Sequence, residues 1–225
     1  MAQCVATLTP RKTVLFQNHW NERGSGQQLV HDWFIRGSEA ENSFESLIYV
    51  WFAFNGWGQS VTEEEQDRPW LDIVGVNSRM RTEFQGAVES DESLRQAVNA
   101  LGDYSPIFRS VQQRQIFDPP VPGTRQDDVK HWLSKPINGK PLAYRPQCYE
   151  DHIRETGVMD KDWPHILQAI YGVRCNLFHG GKSISDNDDP QLVTWSRDIL
   201  VRFLTMGGYL SYEDPKSQAA NYGLW

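Results

Sequence analysis

Three side chains near the end of one predicted helix have the chemistry of a phosphate-directed site. Arg174, Asn176 and His179 lie close together in the chain, directly before Gly180-Gly181. A guanidinium offers a flat fork of donors that suits two phosphate oxygens, and a histidine can give and take protons near neutral pH. The asparagine amide offers both a donor and an acceptor. Together, residues of these types can bind a phosphate and move a proton, so we interpret the three as candidate catalytic residues.

The spacing of Arg174 and His179 limits how the two side chains can meet. Five residues correspond to roughly 140° of rotation on a straight α-helix, so they do not share a face. They can converge if the helix unwinds at the glycines, or across a two-fold axis where each chain contributes to one cleft. Arg174 also falls on the apolar face of its helix, so it needs a partner such as a carboxylate, carbonyls, solvent or a phosphate. Glu45 is one carboxylate that could pair with it.

The segment around these residues resembles a known family signature. VRCNLFHGGK is similar to the motif of HEPN domains, in which an arginine, often with a polar residue two places on, is followed by four to six residues and a histidine. Four residues separate Arg174 from His179. The aromatic-rich segment FESLIYVWFAFNGWG also resembles the early helix of many HEPN proteins, which ends in Phe-Asn.

The resemblance implies a fold and an activity. HEPN domains are all-α bundles that dimerise with their motifs face to face, and active members cleave RNA without a metal through attack of the 2′-OH on the adjacent phosphorus. It implies that His179 transfers protons, Arg174 carries the phosphate charge, and Asn176 orients a phosphate oxygen or His179. It also implies RNA as substrate, a homodimer through the motif face, no cofactor, and an antitoxin or activator protein as a further partner. Many members belong to toxin–antitoxin or anti-phage systems.

Two further residues are predicted to contact the substrate. Lys182 directly follows the glycines. Asn55 falls on the helical face that carries Trp51 and could point toward the same cleft, although an asparagine before Gly56 is also typical of a helix end. The remaining histidines show no metal-ligand spacing, so no metal site is expected; they are His19, His31, His131, His152 and His165.

A non-catalytic helical module is the alternative interpretation. Arg174 would then be a structural arginine bound to carbonyls, and His179 a helix-end residue favoured by the helix dipole. Such a module would bind a partner protein or a nucleotide through a dimer surface or through the proline-rich segment. Trp57, Trp70 and Trp132 could stack on bases if they were exposed, but core packing is the favoured interpretation.

The composition sets limits on function. The chain of 225 residues has a formal net charge of −7, which argues against broad electrostatic adhesion to nucleic acid but allows one positive cleft. Cys4, Cys148 and Cys175 give neither a zinc pattern nor a disulfide framework. No apolar run approaches the ~20 residues of a membrane helix, and the N-terminus lacks the pattern of a signal peptide. We expect a reduced, soluble, cytoplasmic protein without a membrane segment.

The elements that position the candidate residues are predicted to be the helices of one domain. The expected architecture is an all-α, HEPN-like antiparallel bundle with a Pro-rich loop insertion. The domain spans 1–225, with N-terminal helices in 27–117, the insertion in 118–150, and the motif helix and final helix in 160–211. Six prolines prevent a regular helix through the insertion, apart from a short one around 129–133.

Local signals predict where the helices begin and end. Ser38 with Glu41 fits a capping box that starts a buried helix, and Asn55-Gly56 would end it. Further predicted helices cover 27–36, 71–87, 90 or 91 to 101, and a short stretch within 104–117. The motif helix is expected to run from Asp160 or Asp162 to Phe178, and the last helix from Asp189-Pro190 to Gly207-Gly208.

Overall fold

A computed structural model describes residues 24–116, 118–119, 122–179 and 189–210. Within these ranges the chain is mostly helical, which confirms the predicted all-α class. The helices are α1 (Gly24–Glu39), α2 (Ser43–Thr62), α3 (Asp67–Val76), α4 (Ser78–Ser90), α5 (Glu92–Tyr104), α6 (Ser110–Gln113), α7 (Arg125–Leu133), α8 (Tyr149–Thr156), α9 (Trp163–Phe178) and α10 (Asp189–Met206). The short strands are β1 (Ile107–Phe108), β2 (Pro136–Ile137), β3 (Lys140–Pro141) and β4 (Tyr144–Arg145).

The core is built around helix α2, which contacts α1, α3, α9 and α10. Its apolar residues are buried almost all round the helix, as its composition predicts. Aromatic rings fill the space between the helices; the large ones without exposed surface are Trp51, Trp57, Trp70, Trp163, Phe54, Phe84 and Phe203. Trp132 is buried in a second, smaller cluster. The tryptophans predicted as core residues are therefore confirmed, and none of the three considered for base stacking is exposed.

The boundary between α1 and α2 differs from the predicted one. Helix α1 continues through Ser38, whose hydroxyl donates to the carbonyl of Ile35 at 2.9 Å. The cap of α2 is Asn42, which accepts from the backbone N–H groups of Phe44 and Glu45. The predicted capping box was wrong because a better cap follows it: asparagine ranks among the strongest N-cap residues.

Helix α2 also continues past Asn55-Gly56, where we expected it to end. It reaches Thr62 and is followed by Glu63 in the left-handed conformation, with φ of 58°. The extension is stabilised by burial, since Trp57 and Val61 extend the apolar surface of the helix. Tertiary packing here outweighs the local tendency of Asn-Gly to end a helix.

The segment predicted as one helix over 71–87 is divided into α3 and α4. Asn77 lies at the junction, and its side chain accepts from the backbone N–H of Met80 at 3.0 Å. Asp91 caps α5 by the same arrangement, accepting from the N–H of Leu94 at 3.0 Å, as predicted. The short helix expected within 104–117 is α6, and the strand β1 precedes it.

The segment 118–150, predicted as a loop insertion, is more ordered than expected. Helix α7 begins with a capping box between Thr124 and Asp127, β2 pairs with β3, and β4 pairs antiparallel with β1. A small cluster of its own holds it together, formed by Phe108, Val129, Trp132 and Leu142. The prolines are accommodated because the segment alternates short elements with turns.

The two helices at the end of the described chain match their predictions. Asp162 is the N-cap residue of α9, which ends at Phe178, and α10 begins at Asp189 with Pro190 next to it. None of the helices in the described ranges has the length and apolarity needed to cross a membrane.

Cys148 is disulfide-bonded, so the expectation of a chain without disulfides was wrong at this residue. Cys175 is a free thiol.

A pair of helix glycines tests the packing of α2. A Cβ added at Gly58 would collide with the ring of Trp70, while one added at Gly86 meets nothing within 4 Å. We expect Gly58→Ala to lower the free energy of unfolding by about 1–3 kcal/mol. Gly86→Ala should raise it by roughly 0.5–1 kcal/mol, since alanine favours the helix. Urea denaturation measures both free energies of unfolding. Equal effects of the two substitutions would show that Gly58 is not packed tightly against the ring of Trp70.

Candidate active site

Arg174 lies on the side of α9 that faces α2 and α3. Its guanidinium forms an ion pair with Asp67, with 3.1 Å between Nη1 and Oδ2. The same guanidinium lies over the rings of Trp51 and Phe178, at 5.3 Å and 4.6 Å from their centroids. The predicted need for a partner is therefore met by Asp67, and not by Glu45, which is exposed. Its Nε atom is buried without a hydrogen-bond partner.

Asn176 is buried and binds main-chain atoms on the segment after α5. Its Nδ2 donates to the carbonyl of Phe108 at 2.7 Å, and its Oδ1 accepts from the backbone N–H of Ser110 at 3.0 Å. Both ends of the amide thus bind main-chain atoms, which gives Asn176 a structural role; its contact with a phosphate oxygen stays a prediction. Its effect is to hold β1 and the start of α6 against α9.

His179 is the C-cap residue of α9 and is exposed. No hydrogen bond of its imidazole exists with any residue that the structure describes. It lines a pocket between α9 and the β1–β4 pair, whose other charged residues are Arg109 and Arg145. Among the described residues that line this pocket there is no carboxylate, so the pocket is locally positive although the chain as a whole is acidic.

Arg174 and His179 do not line this pocket together. Helix α9 is continuous to Phe178, and the backbone N–H of His179 still donates to Cys175 at 3.1 Å. The helix does not unwind between the two residues, so their side chains point to different sides, as the spacing predicts. Within one protomer Arg109 and Arg145 are the arginines beside His179.

A second pocket adjoins the first along α9. It shares Arg145 and Tyr171 with the pocket of His179 and adds Arg68 and Asp72. Burial lowers the pKa of Arg145, and the charge of Arg68 lowers it further. Burial raises the pKa of Asp72, while the positive charges of Arg68 and Arg145 act to lower it. Together the two pockets form a groove, whose arginines are Arg68, Arg109 and Arg145.

Tyr171 lies where the two pockets meet. Burial, together with the neighbouring thiol of Cys175, raises the pKa of Tyr171 to about 12. The phenol therefore stays protonated at neutral pH and can donate a hydrogen bond to an anion in the groove.

The two predicted substrate-binding residues do not join this pocket in the described structure. Asn55 lies within α2, and its Oδ1 accepts from Nε1 of Trp70 at 3.1 Å, so it has a structural contact away from His179. The prediction that Asn55 faces the cleft was therefore wrong, because α2 continues past it. Lys182 lies outside the described residues.

Sequence reasoning missed Arg109 and Arg145. They meet at the pocket because β1 pairs with β4, in the register Ile107↔Arg145 and Phe108↔Tyr144. Strands of two residues have no detectable periodicity, so nothing in the sequence marked these arginines as neighbours of His179.

Comparisons with models of protein families, with curated proteins and with solved structures found no match to this chain. The site is therefore interpreted from its own geometry, and the HEPN resemblance stays a prediction.

A substitution tests the role of Asn176. We expect Asn176→Ala to lower the free energy of unfolding by about 2–4 kcal/mol, since it leaves a buried carbonyl and a buried N–H without partners. Asn99→Ala is the matched control: Asn99 is exposed and accepts only from Lys161 at 3.3 Å, so the change should be under about 0.5 kcal/mol. Urea denaturation measures both. Equal stability of the two variants would show that the amide does not hold β1.

Proposed function

We propose that this protein is a metal-independent endoribonuclease in which His179 is the proton-transfer residue. The observation that carries the proposal is an exposed imidazole, without a hydrogen-bond partner among the described residues, at a pocket with two arginines. Such an imidazole can remove the proton of a ribose 2′-OH as that oxygen attacks the adjacent phosphorus. The imidazolium then gives this proton to the departing 5′-oxygen, which completes the step and leaves a 2′,3′-cyclic phosphate.

Arg109 and Arg145 supply positive charge for the phosphate in this proposal. The side chain of Arg109 is exposed and has no ion-pair partner in the described part of the chain. Arg145 is partly buried, and the hydrogen bond of its guanidinium within the described residues is to the carbonyl of Tyr144, at 3.1 Å. Their remaining donors can bind the non-bridging oxygens, where charge grows during the attack.

Arg174 contributes to this site from a second protomer. In its own protomer it lies on the other side of α9, beside an exposed row of aromatic rings. Trp33 contacts Phe52, and Phe52 contacts Phe178, with ring centroids 5.6 Å and 5.8 Å apart. Phe52 and Phe178 are exposed, which supports a homodimer interface beside the end of α9. A two-fold axis there would place Arg174 near His179 of the partner subunit.

The biological setting follows from the resemblance rather than from the geometry. We propose a toxin or anti-phage effector that acts on cytoplasmic RNA and is restrained by an antitoxin or switched on by an activator protein. Growth arrest on expression in a bacterial host, relieved by His179→Ala, is the expected phenotype.

An RNA cleavage assay tests the proposed reaction. Purified protein should cleave single-stranded RNA in excess EDTA, and the products should carry cyclic phosphate ends. His179→Ala should lower the rate by at least about 100-fold, and Arg109→Ala by about 10- to 100-fold. DNA, which lacks the 2′-OH, should not be cleaved.

Two control variants match these substitutions. Arg114→Ala removes an exposed arginine outside both pockets, and His131→Gln removes a histidine that contacts the carbonyl of Asp118. Both should cleave RNA at the wild-type rate. Cleavage that survives His179→Ala, or that disappears in EDTA while the protein stays folded, would end the proposal.

Mixing two inactive variants tests whether Arg174 acts across the dimer. If each site combines Arg174 of one protomer with His179 of the other, then a mixed dimer of Arg174→Ala and His179→Ala contains one intact site. Random exchange of subunits should then restore about a quarter of the wild-type rate. No restoration, with subunit exchange confirmed by mass spectrometry, would show that Arg174 does not act in trans.

A non-catalytic binding module is the second candidate. It is favoured by the ion pair of Arg174 with Asp67 and by the main-chain bonds of Asn176, since both are ordinary structural contacts. It predicts an intact dimer without RNA cleavage and no effect of His179→Ala on growth.

A further inference from the structure

Three side chains that bind metals in other proteins meet at the junction of α8 and α9. Cys148, His152 and His165 have one ligand atom each within 4.8 Å of one another. Cys148 and His165 are buried, and the side chain of His152 is only 12% exposed. The expectation that the histidines show no metal-ligand arrangement is therefore wrong for these two.

The sequence brings these residues together through two helix starts. Cys148 is the N-cap residue of α8, and His152 lies four residues on, with its N–H donating to the carbonyl of Cys148 at 3.0 Å. Residues four apart lie on one face of a helix. His165 lies in the first turn of α9, which packs beside them.

Two carboxylates orient the imidazoles. Nδ1 of His165 contacts Oδ1 of Asp162, and Nδ1 of His152 lies 3.4 Å from Oδ2 of Asp160. A carboxylate that accepts a hydrogen bond at Nδ1 favours the tautomer with its hydrogen on Nδ1, which leaves the lone pair of Nε2 for a metal ion. Histidines that bind a metal through one ring nitrogen typically have such a carboxylate at the other ring nitrogen.

The two Nε2 atoms are 3.0 Å apart. Two lone pairs at this distance repel each other unless a cation lies between or beside them. A shared proton can fill this role, and so can a metal ion. In a tetrahedral zinc site with Zn–N bonds of 2.0–2.1 Å, two nitrogen ligands lie about 3.3 Å apart. The observed separation is close to that value, and the sulfur of Cys148 lies within 4.8 Å of both nitrogens.

Helix α8 gives a reason for a metal at this place. It contains no buried residue, and Ile153 within it and Val158 beyond its end are exposed. Its apolar packing comes from Tyr149, which is partly buried against the smaller cluster of Phe108 and Trp132, so a further link would strengthen its attachment. A metal ion bound by residues of α8 and α9 would supply that attachment, as structural zinc does in small domains.

We propose that Cys148, His152 and His165 form a structural zinc site that is available when the disulfide of Cys148 is reduced. A dithiol or phosphine reductant supplies two electrons, the S–S bond breaks, and both sulfurs become thiols. The thiol of Cys148 then loses its proton as Zn²⁺ binds the thiolate and both Nε2 atoms. The fourth position is taken by water or another donor. A small-molecule disulfide oxidant takes up the two electrons and the thiol protons, which releases the metal and restores the S–S bond of Cys148.

Zinc binding by the reduced and oxidised protein tests this proposal. Full-length protein in phosphine reductant should hold about one zinc ion per chain after dialysis, measured by mass spectrometry of the metal. Zinc should raise the Tm of the reduced protein by roughly 5–15 °C, and the oxidised protein should bind at least tenfold more weakly. Cobalt in place of zinc should give a thiolate-to-metal charge-transfer band.

Variants decide which residues bind the metal. Cys148→Ser, His152→Gln and His165→Gln should each weaken zinc binding by about 100-fold or more, and Cys148→Ser should also remove the cobalt charge-transfer band. Cys175→Ser and His131→Gln are the matched controls and should bind zinc like the wild type. His152→Gln is the decisive variant if His165→Gln fails to fold, because His152 lies on the helix without buried residues.

The proposal is overturned if reduced wild-type protein binds no zinc at micromolar concentration, or if His152→Gln binds it as tightly as the wild type. This outcome is separate from that of the nuclease proposal. His179→Ala should bind zinc normally, and His152→Gln should keep cleaving RNA below its own Tm, because neither histidine touches the other site.

Discussion

The continuity of helix α9 decides which side chains can work together. The helix is unbroken to Phe178, so Arg174 and His179 are fixed on different sides by the geometry of the helix itself. Arg174 is directed into the aromatic packing of α2, where Asp67 pairs with it. His179 is directed to the opposite side, where the bundle alone provides no second charge. A phosphate site at His179 must therefore use residues from another part of the chain.

The proline-rich segment supplies one of those residues, Arg145, and positions it beside the other, Arg109. It returns to the bundle through the pairing of β4 with β1, and this brings Arg109 and Arg145 beside α9. Asn176 holds the arrangement by binding main-chain atoms on both sides of Arg109. The residue that we expected to touch a phosphate thus has a positioning effect: it fixes the wall of the pocket, and the charges on that wall come from residues with no motif.

Sequence reasoning succeeded where the signal is local. The caps at Asp91 and Asp162 were predicted because their effect involves only the next few residues. It failed at Ser38 and at Asn55, where local signals compete with a stronger cap or with burial that depends on distant helices. It also failed at Arg145, whose position depends on pairing with a strand far away in the chain. The fold class follows from local patterns, whereas the composition of a pocket depends on long-range contacts.

The proposed zinc site and the pocket of His179 are held in place by different contacts. Cys148 lines the second pocket together with Arg68, Arg145 and Tyr171, so the attachment of α8 defines one wall of that pocket. Because α8 has no buried residue of its own, the bond at Cys148 is one of the contacts that hold this wall. The pocket of His179 is held by Asn176 on its β1 side, and Tyr144, which also lines it, donates to Glu150 of α8 at 3.1 Å. In the zinc proposal, the redox state of Cys148 selects which bond attaches α8 beside these pockets, the disulfide or the metal.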